Sequence, residues 1–534
     1  MDPIVQHELS NIDPAVPFRS SENYHHSTWA GTFHSRPELY IRPHTTAEIQ
    51  KAVRLASRCR RRLTLVGRGH SPSDLTCTSG WMMNLDEYNQ VLSVDDASHV
   101  IVMQSGIRLH RLGEELKRHN LTMPNLGSID EQAIAGAIAT ATHGSTLRHG
   151  ILSQSVLALK IVLADGRLVS CSPTSNLPLF RAALVSLGAL GVIAEVTFQA
   201  VPHFDISWSQ TLVPLSSILS SWEDRLWTQS EFVRVWWLPY LHRGVLWRAD
   251  KTTLPHQPPE KNWYGGALGF HSYHIMLYLA HWVPRILPTV EWFVFGMQYG
   301  FSEHNTITGV EEGRTGLLMN CLYSQFVNEW AIPLRKGPEA LTRMDAWING
   351  DQATSRIPIS PRGIYVHAPI EVRVADTSTT EPRPFLDNTL PNEATLYLNA
   401  TLYRPYGADP PCRETYYAAF EYLMRELGGR PHWAKNFSTV TGKDIEDMYG
   451  ADLEAWREVR DDVDPDGVFV GDWHRRYVLA GERPLDCEER EFRRRRHRGG
   501  GWLIEGGQSP GPGRQRMSDA GIIGKQKESS LLDD

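Results

Sequence analysis

The chain has 534 residues, 41% of them hydrophobic and 22% charged, with a formal net charge of −7. That length allows more than one domain and a large core, and the acidic balance offers no general attraction for nucleic acid or anionic lipid. The start, MDPIVQHELSNIDP, has neither the apolar stretch of a signal peptide nor the arginines of a transit peptide, and the six cysteines (Cys59, Cys77, Cys171, Cys321, Cys412, Cys487) lack metal-like or disulfide-like spacing, so they read as reduced thiols with no metal expected.

In chain order, residues 1–35 read as an irregular lead-in. From 36 to 203 short β-rich runs alternate with helices, the pattern of an α/β or α+β domain. TTAEIQKAVRLASRCRRR is a helix, with Thr45 and Glu48 in a capping-box pattern and Ile49, Val53 and Ala56 at helical spacing. LTLV and HVIVMQS are strands, and LALKIVLADGRLVS is a hairpin turning at Asp165–Gly166. Residues 204–425 form a Trp-rich mixed region, 426–485 a C-terminal segment, and 486–534 a basic, then Gly/Ser/Pro-rich tail expected to be disordered. Inside the mixed region, residues 264–284 carry no Asp, Glu, Lys or Arg. Three histidines and two leading glycines argue against a spanning helix; the stretch reads first as a packing segment, second as a monotopic membrane contact continuing to residue 300.

Three glycine-bearing turns carry the first chemical signal. LVGRGHS places Gly67, Arg68 and Gly69 after a strand, with His70 and Ser71 at the tip, but Pro72 stands where a dinucleotide fingerprint needs glycine. GSIDEQAIAGAIATATHGS, residues 127–145, is nearly free of bulk, with Ser128 and Glu131 in a second capping-box pattern. Such a surface admits another backbone or a flat ring, although a tightly packed small-residue helix would look the same. LGALGVIAEVTF adds Gly188 and Gly191. Together the turns suggest a nucleotide cofactor held by several loops. Farther on, Glu371 and Arg373 are two apart in a strand-like run and share a face, as would a salt-bridged strand edge. His432 and Lys435 share a face if PHWAKNF is helical.

RPELYIRPHTTAEIQKAVRLA, LVGRGHSPSD, GSIDEQAIAGAIATATHGS and LGALGVIAEVTF resemble the FAD domain of the vanillyl-alcohol oxidase / p-cresol methylhydroxylase flavoproteins. IEVRV, YLNATLYRPYG, PHWAKNF and DPDGVF narrow the resemblance to the sugar-1,4-lactone oxidases, nearest their fungal D-arabinono-1,4-lactone branch. The resemblance covers residues 20–480 and implies an α+β fold: a two-part FAD-binding domain of the p-cresol methylhydroxylase type plus an α+β substrate (cap) domain. It implies FAD joined covalently through His70 to the flavin 8α-methyl group. Val66, Gly67, Arg68, Gly69, His70, Ser71, Gly127, Ser128, Gly136, Thr140, His143, Gly144, Ser145 and Ile193 would hold that cofactor.

By the same resemblance Glu371, Arg373 and Lys435 line the catalytic face, with Asn399 a looser match. Arg373 and Lys435 would stabilise developing negative charge, and Glu371, its basicity lowered by Arg373, would position substrate first and act as base second. The implied reaction is oxidation of an aldono-1,4-lactone at C2, D-arabinono-1,4-lactone preferred, with O2 as acceptor, giving D-erythroascorbate and H2O2. A flavin dehydrogenase or an alditol or other sugar oxidase on the same scaffold, or a non-catalytic membrane-associated flavin-binding protein, are the alternatives. Relatives imply a membrane-associated, mitochondrial location. The ending VGDWHRRYVLAGERP departs from the family pattern, and the tail beyond 486 has no counterpart in it.

Overall fold

Helix Thr46–Arg58 begins where the sequence places it: Thr45 is extended and its hydroxyl accepts from Glu48 N–H at 3.2 Å. The returning half of the cap shifts one residue upstream, because the Glu48 carboxylate accepts from His44 N–H at 2.9 Å. The helix buries Ile49, Ala52, Val53, Leu55 and Ala56 against a small sheet ordered Ser20–Ser21, Leu39–Ile41, Trp81–Asn84, Leu63–Val66, in which the last three strands run parallel. A computed structural model describes residues 1–259, 266–319, 323–367 and 369–480. The expected tail at 486–534, with Cys487, lies outside them, as do Cys321 and the first two residues of the charge-free stretch.

A second, antiparallel sheet of five strands runs Leu168–Cys171, Val156–Val162, Val192–Gln199, Val100–Gln104, Val91–Asp95. The expected hairpin pairs Val162 with Leu168. Gly166 sits in its turn at φ +82°, and a Cβ there would lie 2.4 Å from Arg54 Cγ, so this turn needs glycine twice over. The lead-in is less irregular than its composition suggests: Pro3–Asn11 is helical, capped by Asp2 with Pro at its first position, and buries Val5.

The remaining large element is an eight-stranded antiparallel sheet ordered Thr306–Glu312, Asp205–Pro214, Arg243–Thr252, Phe232–Leu238, Ile370–Ala375, Thr395–Tyr403, Gln325–Pro333, Arg430–Pro431. Its central strands are buried along most of their length because helices Gly337–Ile348 and Arg413–Glu426 belong to the same core, through Trp347, Tyr416 and Phe420. The opposite face looks toward the glycine-bearing turns. After residue 463 the chain returns to the first sheet: Val468 C=O accepts from Leu63 N–H at 2.7 Å, and buried Asp464 fixes this turn by accepting from the N–H groups of Val468 and Phe469, both at 2.8 Å.

The charge-free stretch folds as helix Ala267–Ala280, followed after a Pro284 turn by helix Leu287–Tyr299. Among the described residues no helix is long and apolar enough to cross a membrane. The packing reading holds for one side of this pair, and the other side is exposed and apolar. Tyr273, Leu277, Val290, Val294 and Phe295 are buried in a cluster with Leu212 and Leu238, whereas Leu268 and Trp282 are 73% and 76% exposed and Ile275, Leu279, Val283, Trp292 and Met297 are exposed beside them.

Candidate active site and cofactor cleft

Two cavities meet at His70. The smaller, about 120 Å³, lies between the two N-terminal sheets and is lined by Val66–Ser71, Gly136, Thr140, Ile193, the 186–188 turn, Gly191, Phe469 and His474. The larger, about 440 Å³, lies over the eight-stranded sheet and is lined by Gly127, Ser128, His143, Glu371, Arg373, Asn399, His432 and Lys435 among others. His70 lines both. Gly144 and Ser145 line neither: the Ser145 hydroxyl donates to Val233 C=O and accepts from Val374 N–H at 3.2 Å, so it ties two strands together instead of reaching a cofactor.

The smaller cavity fits a flat, phosphate-bearing group. A Cβ on Gly136 or Gly188 would meet nothing within 4 Å, while one on Gly67 would come 2.9 Å from Ala133 Cβ; the walls are open where a ligand needs room and shut to side chains where they approach each other. His70 adds a pointed observation. Both its ring nitrogens are buried without a hydrogen-bond partner, burial lowers its pKa to about 4, and Trp29 stacks beside it at 5.3 Å. It is therefore a neutral imidazole with a lone pair and no protein group to share it with.

The floor of the larger cavity follows from sheet register. Trp236 lies opposite Glu371, Glu371 opposite Asn399, and Asn399 opposite Glu329, which makes one transverse row across four strands. Two residues along, on the same face, come Trp247 opposite Arg234 and Arg373 opposite Tyr397. Arg373 is the hub of the ion pairs: Nη2 is 2.5 Å from Glu329 Oε1, Nε is 3.5 Å from Glu371 Oε1, and Nη1 donates to Ser128 Oγ at 3.2 Å. Lys435 Nζ stands 3.6 Å from the other Glu329 oxygen, and His143 Nε2 is 3.3 Å from Glu329 Oε1.

This geometry splits the two carboxylates. Burial alone would raise Glu329, but Arg373, Lys435 and the His143 contact together hold it well below the usual range. Glu371 goes the other way: burial outweighs Arg373, whose closest approach is to Glu329, and its carboxyl is raised. Arg373 does lower Glu371, as expected, but burial outweighs it and the net shift is upward. Two further expectations change. Ser128 and Glu131 do not cap a helix, since the helix here is Ile134–Ala139 with Ala133 before it; the Ser128 hydroxyl meets Arg373 instead. His432 and Lys435 share a side because Lys435 N–H closes a turn on His432 C=O at 3.0 Å, just past strand Arg430–Pro431, and not because they share a helix.

Glu329 was absent from the sequence reading, although a lone carboxylate in the otherwise buried run QFVNEWAIP was a usable signal. Arg234, Phe469 and His474 were also missed. His143, Glu329 and His432 bring ligand atoms within 4.8 Å of one another, but Arg373 and Lys435 already neutralise that carboxylate, and a dication there would face both cations.

Comparison with known proteins agrees with this architecture. The family model for the D-arabinono-1,4-lactone oxidases matches residues 196–477, and that of an FAD-binding domain matches residues 37–172. The D-arabinono-1,4-lactone oxidases of Yarrowia lipolytica and Candida albicans are 40% and 38% identical to this chain, covering 86% and 83% of it and 97% and 94% of their own lengths. A Neurospora crassa protein provisionally given the same name is 52% identical over 90% of this chain and 91% of its own. Among solved structures, cholesterol oxidase from Brevibacterium sterolicum shares the fold, with a TM-score of 0.71 at 16% identity over 86% of this chain and 98% of its own. With one family model matching residues 196–477, an FAD-binding model matching residues 37–172 and relatives up to 52% identical over most of its length, the chain is an FAD-binding member of the D-arabinono-1,4-lactone oxidase family.

Proposed function

We propose that the protein oxidises D-arabinono-1,4-lactone at C2 with O2 as acceptor, yielding D-erythroascorbate and H2O2. The carrying observation is the buried Glu371–Arg373–Glu329 cluster with half-buried Lys435 beside it, which shares its cavity with the one imidazole that also lines the cofactor cleft. FAD, when bound, supplies two-electron acceptance and reoxidation by O2. The chain's own residues do the rest. Glu371, raised by burial, takes the proton of the C2 hydroxyl. Arg373 and Lys435, fixed by Glu329, present positive charge to the oxygen on which charge develops. Asn399, whose amide lies 3.5 Å from Glu371 and whose carbonyl accepts from Thr401 at 2.8 Å, holds the carboxylate in place. Oxygen uptake and peroxide release with the purified holoprotein test the reading, and no lactone-dependent uptake would end it.

Because the base must be ionised, kcat/KM should fall as pH drops through the raised Glu371 value, along a limb centred above the ordinary 4.5. Glu371→Gln should abolish that limb and lower kcat/KM by about 10²- to 10⁴-fold. A pH–rate profile on both proteins checks it.

Covalent attachment of FAD through His70 belongs to the same proposal. His70 would supply the imidazole nitrogen for that bond, which would replace its N–H and one C–H of the 8α-methyl group, with O2 as the acceptor of the two electrons and two protons.

Peripheral membrane docking through the 266–301 helix pair is a further part. Over that span the only charged residues are Arg285 and Glu291, and Glu291 is turned inward, where it accepts from Tyr240 and Leu241 N–H at 2.9 and 3.1 Å. The exposed face is thus apolar, carries two tryptophans, and bears one cation and no anion, which suits a lipid interface. Wild-type protein should float with phosphatidylcholine/phosphatidylethanolamine vesicles, and Leu279→Glu/Trp282→Glu should weaken binding about tenfold or more; equal flotation of the two would refute it.

A further inference from the structure

Arg234 is a buried cation with nothing of opposite charge touching it. It lies on strand Phe232–Leu238, is 6% exposed, and lines the larger cavity. Nη1 and Nη2 each donate one N–H, to Leu317 C=O and Gly316 C=O, both at 3.2 Å. Its guanidinium lies over the Trp247 ring at 4.0 Å. A guanidinium has five N–H groups, so these contacts fix its plane and leave most of its donors uncommitted. Among the described residues it forms no ion pair. Glu371, on the adjacent strand, is raised by burial, and Glu311, also on the cavity wall, accepts from Trp208 Nε1 at 2.6 Å. Burial lowers the Arg234 pKa to about 10; the Glu371 carboxylate, beyond ion-pair distance, opposes that fall and Arg373 adds to it. Buried charges are held by partners, and the open side of this one is the cavity.

Resting on the lactone-oxidase reading, we propose that Arg234 is a further binding residue of the cavity, and that the form it selects is the enediolate anion of the oxidised lactone. The substrate is a neutral polyol lactone. After oxidation at C2, the 2-keto lactone loses its C3 proton to water, the C–H electron pair forms the C2=C3 double bond, and the carbonyl oxygen carries the charge. Transfer of the C3 hydroxyl proton to that oxygen gives the more stable anion, whose charge is shared through C3, C2 and C1 by the C3 oxygen and the lactone carbonyl oxygen; these accept two or three N–H bonds, the geometry a rigid planar fork matches. Arg234 thereby gives the cavity a higher affinity for product than for substrate.

The test uses holoprotein, titrated by calorimetry at pH 7 without oxygen. The probes are ascorbate, a stable lactone enediolate, and a 2-deoxyaldono-1,4-lactone, a neutral ring that cannot be oxidised at C2. Wild-type protein should bind ascorbate about tenfold or more tightly than the neutral lactone. Arg234→Met should weaken ascorbate by about 10- to 100-fold and the neutral lactone by only a few-fold, while Arg234→Lys, which keeps the charge but not the planar fork, should retain only part of the ascorbate affinity. Equal wild-type affinities, or equal weakening of both probes in Arg234→Met, overturn the proposal. The wild-type comparison decides the matter even if Arg234→Met fails to retain flavin. Lactone-dependent oxygen uptake in the same preparation separates the two levels: turnover without a preference for ascorbate rejects the anion site and leaves the oxidase standing, and absence of turnover removes the reading beneath both.

Discussion

Arg373→Met should lower kcat/KM for the lactone by about 10²- to 10³-fold and destabilise the fold by about 3–5 kcal/mol. The first effect follows from loss of the guanidinium that faces the cavity. The second follows from what remains: Glu329 and Glu371, both buried, lose their shared cation, and the cations left are Lys435, at 3.6 Å from Glu329, and Arg234, which acts on Glu371 without forming an ion pair with it. Neither carboxylate can move out to water, because each sits mid-strand in the centre of the eight-stranded sheet. The double variant Glu329→Gln/Arg373→Met separates the roles. Removing the closest partner of Arg373 as well should return much of the stability, since a neutral pair of similar shape carries no uncompensated charge, while activity stays low. Thermal unfolding and steady-state kinetics on the three proteins measure both. A single variant as stable as wild type would mean that the pairs through Arg373 hold nothing, and a double variant with restored activity would mean that the cation is not needed for the chemistry.

The sequence made some of this cluster legible and hid the rest for a physical reason. Glu371 and Arg373 lie two apart in one strand, so a period of two places them together without any knowledge of neighbours. Glu329 meets them only because strand Thr395–Tyr403 lies between Gln325–Pro333 and Ile370–Ala375, and strand order is not a local property. The same limit explains Ser128 and Glu131: Ser-x-x-Glu is a helix-start pattern, but a hydroxyl near a buried guanidinium is claimed by it, and the chain runs through bends without helix until Ile134. Lys435 was placed beside His432 by an i, i+3 argument that a turn satisfies as well as a helix does. The charge-free stretch and the apolar stretch after Arg285 become two helices of 14 and 13 residues separated by the Pro284 turn, too short to span and long enough to bury one side. The cofactor turns were the most legible part, because glycine's freedom and His70's position at a turn tip are written in adjacent residues.

His70→Ala should abolish the covalent flavin completely while leaving the fold intact. Acid-denatured wild-type protein, separated on a gel, should carry yellow-green fluorescence with the polypeptide, and the variant should carry none. The structure supplies three reasons to expect attachment at this residue and no other. The imidazole lies where the cofactor cleft opens into the catalytic cavity, so it can reach a ring whose far end enters the site of chemistry. It is neutral, burial having lowered its pKa to about 4, so a nitrogen lone pair is free at pH 7. And neither nitrogen is committed to a protein partner, in contrast to His474 on the same wall, whose Nε2 donates to Leu187 C=O at 2.9 Å and whose Nδ1 accepts from Gly471 N–H at 3.0 Å. His474→Ala therefore serves as the control and should keep the fluorescent band. Loss of an alkyl–imidazole bond should lower the flavin reduction potential and slow turnover by about tenfold, ~1.4 kcal/mol in activation free energy, read by potentiometric titration and kcat. Flavin released from wild-type protein by acid would refute the bond and leave the cleft as a non-covalent site; fluorescence persisting in His70→Ala would place the attachment on a different residue.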